Sequence, residues 1–257
     1  MARPIVPWPG GKRRLAKHIL PLIDKVRHKT YVEPFAGGAA LLFMRRAPAP
    51  AEVLNDLHGE LVRLYRCVQH HLDELVRQFR WSLASREMFR WAQLQHVETL
   101  TDIQRAARFY YLQRMAYGGK VAGQHFGTSA GAPPRINLLR IEEELSQAHL
   151  RLARVTIEHL PWADCIARYD RPETLFYLDP PYYETQGYGT DFGLDQHQAL
   201  ASVLTRLRGR AILSINDHPA MRETYGAFRR RRLSTTYVMG QRSGRAKPAN
   251  ELLITTW

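Results

Sequence analysis

The sequence predicts an α/β fold, a doubly wound and mostly parallel sheet that carries a helical insert. Short apolar runs typical of buried strands occur near both ends of the chain, within 30–58 and within 155–257. Helical patterns lie between several of these runs, and strands that alternate with helices indicate a parallel sheet. The stretch from 61 to about 114 instead repeats its apolar residues at helical spacing throughout.

The elements follow one another in a simple order. Strands are predicted at 31–32, 52–54, 155–157, 175–178, 211–215 and 251–257, and helices within 61–114 and at 141–152 and 195–207. Glycine, serine, alanine and proline dominate 118–134, which predicts a long loop. We therefore expect one α/β domain made of residues 1–59 and 151–257, interrupted by a helical insert at 60–150.

Length and composition limit the class of protein. The chain has 257 residues, of which 45% are hydrophobic, so it can fill a substantial core and is not expected to be disordered. No run approaches the ~20 apolar residues of a membrane helix, and the amino-terminal residues do not resemble a signal peptide. The only two cysteines, Cys67 and Cys165, are typical of reduced thiols in a cytoplasmic protein.

The charge predicts a polyanionic partner. The formal net charge is +13, and residues 1–30 contain eight lysines and arginines against one acid. Residues 205–250 contain eleven against two acids, including four consecutive arginines at 229–232. Such clustering favours nucleic acid as the binding partner over a membrane surface. It also favours a nucleic-acid partner over a solvated cationic surface that binds nothing.

The tetrapeptide Asp179-Pro180-Pro181-Tyr182 directly follows the predicted strand at 175–178. The two prolines end the strand in a stiff turn. An acid and an aromatic ring are thus held at the carboxyl end of a sheet strand, where open α/β folds bind ligands. The alternative interpretation is a strand-ending turn with a packed tyrosine.

Two further segments indicate a site for a charged nucleoside-like ligand. The predicted strand at 31–32 leads into Glu33-Pro34-Phe35-Ala36-Gly37-Gly38, whose small residues allow close approach of a ligand. The next strand ends in Asn55-Asp56, and an acid there can accept hydrogen bonds from ribose hydroxyls; it could equally cap the following helix.

The segment Trp8-Pro9-Gly10-Gly11-Lys12 could contact the same ligand. It is not a Walker A motif, because Val6 and Arg13 occupy positions where that motif needs glycine and serine or threonine. The tryptophan and lysine could instead stack on and anchor a charged small molecule.

Taken in order, these four motifs resemble those of the Dam-like, D12 class of DNA adenine-N6 methyltransferases. The resemblance spans nearly the whole chain, and the segments 183–188 and 214–218 are similar to phage-type members. It implies a Rossmann-like fold of the class I S-adenosylmethionine-dependent methyltransferases. It also implies that the insert at 60–150 recognises the DNA target.

The resemblance implies S-adenosylmethionine as cofactor and assigns residues to its site. The implied cofactor-binding residues are Trp8, Gly11, Lys12, Glu33, Phe35, Gly37, Asp56, Asp164 and Asp179. Asp56 would hold the ribose and Asp164 would lie near the adenine of the cofactor. The alternative for Asp164 is a helix N-cap.

The implied catalytic residues are Asp179, Pro180, Pro181 and Tyr182. The exocyclic amine of adenine is a poor nucleophile because its lone pair is conjugated with the ring. Asp179 and the Pro180 carbonyl could accept its two N–H groups and localise that lone pair. The base must leave the duplex to react, and Tyr182 would stack on it, with Tyr183 or Tyr188 as further candidates for the pocket. No metal is expected.

The resemblance implies double-stranded DNA as the partner of a protein that could act as a monomer. The candidate DNA-binding residues are Arg114, Tyr117, Lys120, Arg135 and Arg242, with Arg245 as a further candidate. The arginines at 229–232 would position the duplex rather than read its sequence. The family often has Asn-Gly where this chain has Gly118-Gly119.

The sequence leaves some other functions open and excludes one. The same chemistry could methylate N4 of cytosine, or adenine in RNA. A non-catalytic DNA-binding protein is disfavoured because the cofactor loop and Asp179 are intact. A zinc deaminase is excluded because its histidine and cysteine signatures are missing from the sequence.

Overall fold

The computed structural model describes residues 2–127, 131, 133–184, 192–237 and 247–257. Seven strands in the described part form one sheet. The strands are β1 (Thr30–Glu33), β2 (Ala51–Asn55), β3 (Val155–Glu158), β4 (Thr174–Leu178), β5 (Arg210–Asn216), β6 (Arg229–Tyr237) and β7 (Lys247–Thr255).

The strand order is β3-β2-β1-β4-β5-β7-β6. The five strands from β3 to β5 pair in parallel, while β7 runs antiparallel between β5 and β6. The chain moves outward from β1 to β3 and then crosses back to place β4 on the other side of β1. The crevice between the carboxyl ends of β1 and β4 is therefore the topological switch point, where open α/β sheets bind ligands.

Ten α-helices accompany the sheet in the described ranges. They are α1 (Ala16–Lys25), α2 (Ala40–Met44), α3 (Gly59–His70), α4 (Leu72–Arg77), α5 (Arg86–Leu94), α6 (Asp102–Met115), α7 (Ile141–Leu152), α8 (Trp162–Tyr169), α9 (Leu194–Thr205) and α10 (Pro219–Thr224). Several begin at recognisable caps: Thr101 and Gln104 form a capping box at α6, and the Ser85 hydroxyl accepts from two amides of α5.

The two faces of the sheet are separated by the alternation of side chains along each strand. In β4, Leu175 and Tyr177 pack with α1 on one face, whereas Phe176 and Leu178 belong to the cluster that includes α8 and α9 on the other. The whole of β4 is buried. A strand covered on both faces requires a continuous apolar sequence, which is the pattern from which it was predicted.

The helices between β2 and β3 pack against the carboxyl ends of β1 and β2. One hydrophobic cluster joins Leu64 and Tyr65 of α3 and Tyr110 of α6 to Ala36 in the loop after β1 and to Leu54 of β2. The insert is thus continuous with the core that supports the crevice.

The predicted α/β class and the mostly parallel sheet are confirmed. The helical spacing at 61–114 corresponds to four helices, α3 to α6. Helix α1 and strand β6 were not predicted. Strand β6 begins at the four arginines, whose side chains are exposed, so the run lacks the apolar alternation of a half-buried strand. Phe126, within the predicted loop at 118–134, pairs with Ala116 as an isolated bridge.

No helix in the described part of the chain is long and apolar enough to cross a membrane. Both cysteines are buried and unpaired. Burial raises the pKa of Cys67 to about 11 and that of Cys165 to about 12. Neither thiol is therefore activated as a nucleophile.

A buried carboxylate ties the insert to the sheet. Glu52 of β2 accepts from Arg45 at 2.9 Å and from Arg151 of α7 at 2.5 Å, and its side chain is 4% exposed. Arg151 also donates to the carbonyl of Leu42. Breaking a buried ion pair costs more than an exposed pair contributes, because the remaining charges stay desolvated.

We expect Glu52→Ala to lower the free energy of unfolding by about 3–5 kcal/mol, because it leaves two arginines without their counter-charge. The matched control is Glu173→Ala, which breaks the exposed pair with Lys29 and should cost at most about 1 kcal/mol. Urea unfolding of both variants measures the difference. Equal losses would show that the Glu52 cluster contributes no more than a surface pair.

Candidate active site

A cavity of about 650 Å³ opens at the switch point between β1 and β4. Its walls come from the amino-terminal segment, the loops after β1, β2, β3 and β4, and the insert. This volume is within the range of small-molecule and cofactor sites. Several of the residues that the sequence assigned to a cofactor line it: Trp8, Gly11, Lys12, Glu33, Phe35, Gly37, Asp56 and Asp179.

Gly37 is the tightest point of the loop after β1. Its φ is +47°, and a Cβ there would lie 2.6 Å from Cδ1 of Trp8. The Tyr65 hydroxyl donates to the Gly37 carbonyl at 2.6 Å, which fixes the other side of the loop. The position therefore requires glycine both for its left-handed backbone and for the space that the indole occupies.

Asp56 holds this loop from the next strand. Its Oδ2 accepts from the Gly37 amide at 2.8 Å and its Oδ1 from the His58 amide at 2.9 Å. Burial raises the pKa of Asp56, and these two hydrogen bonds act in the opposite direction. The residue that caps α3 is His58, whose ring accepts from the Leu61 amide. The alternative role of Asp56 as that helix cap is therefore not found.

Glu33 is a second buried acid at the end of β1. Its Oε1 accepts from the Tyr31 hydroxyl at 2.9 Å and from the Leu42 amide at 3.0 Å, and the residue is 2% exposed. Burial raises the pKa of Glu33 to about 7, although both hydrogen bonds lower it. The carboxyl group thus titrates near neutral pH while it supports the start of α2.

Asp179 lies at the end of β4 and is contacted from two other segments. Lys12 Nζ is 2.7 Å from Oδ1, and the Ser214 hydroxyl of β5 donates to the same oxygen at 3.2 Å. Ser214 is in turn 2.7 Å from the Tyr177 hydroxyl. Lys12 is only 3% exposed, and its ammonium also donates to the Gly10 carbonyl at 2.6 Å.

Burial and the neighbouring ammonium of Lys12 have opposite effects on the pKa of Asp179. Burial raises the pKa of Asp179 to about 6, while Lys12 and Ser214 lower it and Glu251 raises it. The carboxylate is therefore ionised at neutral pH and becomes protonated in mildly acidic solution. Its side chain is 20% exposed, so a ligand in the cavity can reach it.

Tyr182 packs beside this carboxylate. Its hydroxyl donates to Glu251 Oε2 at 2.6 Å, and Lys12 Nζ lies 4.6 Å from the ring centroid. Pro181 lines the cavity, whereas Pro180 is buried behind it. The whole predicted tetrapeptide thus lies at the cavity or directly behind it.

Asn216 holds the chain that leaves the tetrapeptide. Its side chain accepts from the Tyr183 amide at 3.1 Å and donates to the Tyr183 carbonyl at 3.0 Å. The ring of Tyr183 lies 5.1 Å from that of His218. Tyr188, the other tyrosine considered for the pocket, lies outside the described residues.

Aromatic side chains form the opposite wall of the cavity. Phe35 stacks on Trp162, with 6.4 Å between ring centroids, and Phe192 meets Phe35 edge to face. Trp162 donates to Gln196 at 3.1 Å. Asp164 is exposed on α8 and does not line the cavity, which Leu160 and Pro161 reach instead.

The candidate DNA-binding residues divide into two groups. Arg114 and Arg135 line the cavity, and Arg114 is 3.3 Å from Glu144. Tyr117 and Lys120 are exposed on the segment after α6, and Tyr117 is 52% exposed. Arg242 and Arg245 lie outside the described residues.

Sequence reasoning assigned no role to four residues that shape the site. They are Tyr65, Ser214, Asn216 and Glu251. Ser214 and Asn216 fall in the segment 214–218 that was already noted as family-like, at the carboxyl end of a strand, and that placement was a usable signal. Glu251 lies in a terminal apolar strand, 69 residues from the tyrosine that it contacts, and nothing local marks it.

No group of three or more histidine, cysteine, aspartate or glutamate side chains in the described ranges could hold a metal ion. The acids at the cavity instead bind amides, hydroxyls and an ammonium.

Comparison with known proteins gives a consistent result. Residues 8–239 match the family described as D12 class N6 adenine-specific DNA methyltransferase. The chain is 28% identical over 248 residues to the Type II methyltransferase M.CviBI of Paramecium bursaria Chlorella virus NC1A, covering 95% of this chain and 94% of the viral protein. It is 27% identical over 269 residues to the retron Ec67 DNA adenine methylase of Escherichia coli, covering 98% and 90% respectively. It is 24% identical over 275 residues to the DNA adenine methylase of Haemophilus influenzae, covering 98% and 92%.

We expect Gly37→Ala to destabilise the protein more than Gly123→Ala. Both glycines have positive φ, but a Cβ at Gly123 meets nothing within 4 Å. The control Gly123→Ala should therefore lower the free energy of unfolding only by the cost of a left-handed backbone, about 1–2 kcal/mol. Displacement of Trp8 should add about 1–3 kcal/mol at Gly37. Urea unfolding measures both, and equal losses would mean that the indole moves aside without cost.

The raised pKa of Glu33 predicts a pH-dependent stability. As the pH rises from the ordinary value of 4.5 towards about 7, the unfolded chain loses this proton while the folded chain retains it. The contribution of Glu33 to stability therefore falls with increasing pH. We expect Glu33→Gln to become progressively more stable relative to the native protein between about pH 5 and pH 8. A constant difference in unfolding free energy across that range would contradict the assignment.

Proposed function

The chain belongs to the D12 class of N6 adenine-specific DNA methyltransferases, and we propose that it uses S-adenosylmethionine to methylate adenine flipped out of duplex DNA. Methylation of adenine in DNA is the activity of this class. One observation carries it: Asp179, the glycine loop and Asp56 all face one cavity.

The residues at the cavity fit S-adenosylmethionine. The indole of Trp8 fills the space beside Gly37 that a Cβ would need, which holds the glycine loop close along the cavity wall. Asp56 offers a buried carboxylate to ribose hydroxyls, while Phe35 and Trp162 offer apolar faces to an adenine ring. S-adenosylmethionine supplies a methyl group on a positively charged sulfur, which leaves as a neutral thioether when the N6–methyl bond forms.

Asp179 and the carbonyl of Pro180 are the proposed acceptors for the two N–H groups of adenine. When both N–H groups donate hydrogen bonds to these acceptors, the lone pair of N6 is drawn out of conjugation with the ring and points at the methyl group. Lys12 and Ser214 both contact Oδ1, so the proposal assigns Oδ2 to the substrate. The amine loses one proton after transfer, and a carboxylate whose pKa is about 6 can accept it. Positioning of the reacting groups provides much of the acceleration.

Tyr182 is the proposed stacking partner of the flipped adenine. Stacking on an aromatic side chain contributes about 1–3 kcal/mol per base, which offsets part of the energy lost when the base leaves the duplex. The ring is held at its hydroxyl by Glu251, so its orientation is set before the base arrives.

The insert at 60–150 is the proposed target-recognition region. Arg114 and Arg135 line the cavity from this region, next to where the flipped base would enter. Tyr117 and Lys120 are exposed beside them. The four exposed arginines that begin β6 are proposed to contact phosphates, because an edge strand of cations suits a polyanion but reads no base. A single flipped base needs one catalytic site, so a monomer suffices.

We expect Asp179→Ala to reduce methyl transfer by about 100-fold or more, because it removes an acceptor of the reacting amine. Labelled S-adenosylmethionine is incubated with unmethylated duplex DNA, and the product is digested to nucleosides. The label should appear in N6-methyladenine with the native protein. Cofactor affinity, measured separately, should fall in Asp56→Asn but not in Asp170→Asn, a matched control whose carboxylate accepts from the Arg208 and Gly209 amides and does not line the cavity.

The other outcomes of this assay discriminate between functions. Label in N4-methylcytosine would keep the fold and overturn the substrate, and label that appears only with RNA would replace DNA as the partner.

Because protonation of Asp179 removes an acceptor, the single-turnover rate should fall as the pH drops through about 6. A rate that does not depend on pH in that region would contradict the role of the ionised carboxylate.

A further inference from the structure

Glu251 is a buried acid beside the proposed catalytic residues. It lies on β7, opposite Asn216 of β5 in the antiparallel register, and is 1% exposed. Its position is beyond residues 8–239, the range of the family match. Burying a carboxylate is costly unless it is hydrogen-bonded or paired. Its presence at this depth therefore requires a physical explanation.

The contacts of Glu251 connect it to both proposed catalytic side chains. Its Oε2 accepts the Tyr182 hydroxyl at 2.6 Å, a contact between buried groups. The ring of that tyrosine lies under the Lys12 ammonium, 4.6 Å from the centroid. The same ammonium is 2.7 Å from Asp179. Two carboxylates, one ammonium and one phenol thus form a single group from three separate segments.

We propose that Glu251 is a positioning residue for methyl transfer, which holds the phenol of Tyr182 so that the stacking ring keeps its place relative to Asp179. This inference rests on the proposed function of those two residues. A tyrosine ring fixed only by packing can rotate, whereas one anchored at its hydroxyl by a charged acceptor has its plane set. Pre-setting the plane lowers the ordering cost when the base stacks.

The charge of Glu251 can be tested by a second, independent measurement, because it affects the pKa of Asp179. After burial, which has the largest effect, Glu251 contributes to the raised pKa of Asp179, against Lys12 and Ser214. Tyr177 of β4 and Glu33 of β1 also interact electrostatically with the carboxylate of Asp179. Removing the charge of Glu251 should therefore lower the pKa of Asp179. The acid limb of the pH–rate profile should move to lower pH.

The test compares Glu251→Gln with Glu251→Ala in the full-length enzyme. Glutamine keeps an oxygen that can accept from Tyr182 but removes the charge, whereas alanine removes both. We expect Glu251→Ala to lower kcat at least about tenfold with little change in the Kd for S-adenosylmethionine. Glu251→Gln should recover most of that loss, and its acid limb should lie at lower pH than that of the native enzyme. Glu173→Gln, which removes an exposed charge far from the site, is the control and should match the native enzyme.

A double-mutant cycle with Tyr182→Phe tests whether the two side chains act together. If Glu251 acts through the phenol, the double variant Tyr182→Phe and Glu251→Ala should lose little more activity than the larger single loss. Losses that multiply would overturn the proposal, and so would an unshifted pH profile in Glu251→Gln. If the alanine variant does not fold, as circular dichroism would show, the glutamine variant decides through its pH profile. Transfer by the native enzyme in the same assay tests the proposed function separately, since its absence would overturn that function first.

Discussion

The ionised carboxylate of Asp179 has to be kept in a largely desolvated place, and much of the structure serves this requirement. A buried charge is stable only beside a counter-charge or hydrogen-bond donors. Here the counter-charge is Lys12, itself 3% exposed, and the donor is Ser214 of β5. The amino-terminal segment, the end of β4 and the end of β5 must therefore meet at one point, and the crossover from β3 to β4 brings them there.

The insert is packed into the fold by hydrogen bonds and an ion pair of its own. Tyr65 of α3 donates to Gly37, and Gln113 of α6 donates to the carbonyl of Pro7 in the amino-terminal segment. Helix α7 is joined to β2 through Arg151 and Glu52. The helices proposed to meet DNA are thus in direct contact with the loop proposed to hold the cofactor. A shift in the insert would reach the cavity through these hydrogen bonds.

Local sequence patterns were sufficient for much of the fold and for part of the site. The apolar run at 175–178 is typical of a strand buried on both faces, and the prolines after it end that strand. Helix α1 was harder to predict because Pro21 lies within it and its apolar face is short. Strand β6 was missed because its arginines point to solvent on an edge, where pairing with β7 rather than burial makes the strand.

What the sequence by itself determined is the chemistry available: an acid and a tyrosine fixed by two prolines, a glycine loop and an acid after the following strand. These are local features, since each depends on residues that are neighbours in the chain. The tertiary structure decided which distant groups adjust them. Lys12 and Ser214 tune Asp179, His58 rather than Asp56 caps α3, and Glu251 holds Tyr182 across 69 residues. Side-chain contacts between strands depend on sheet order and register, and no local pattern encodes these.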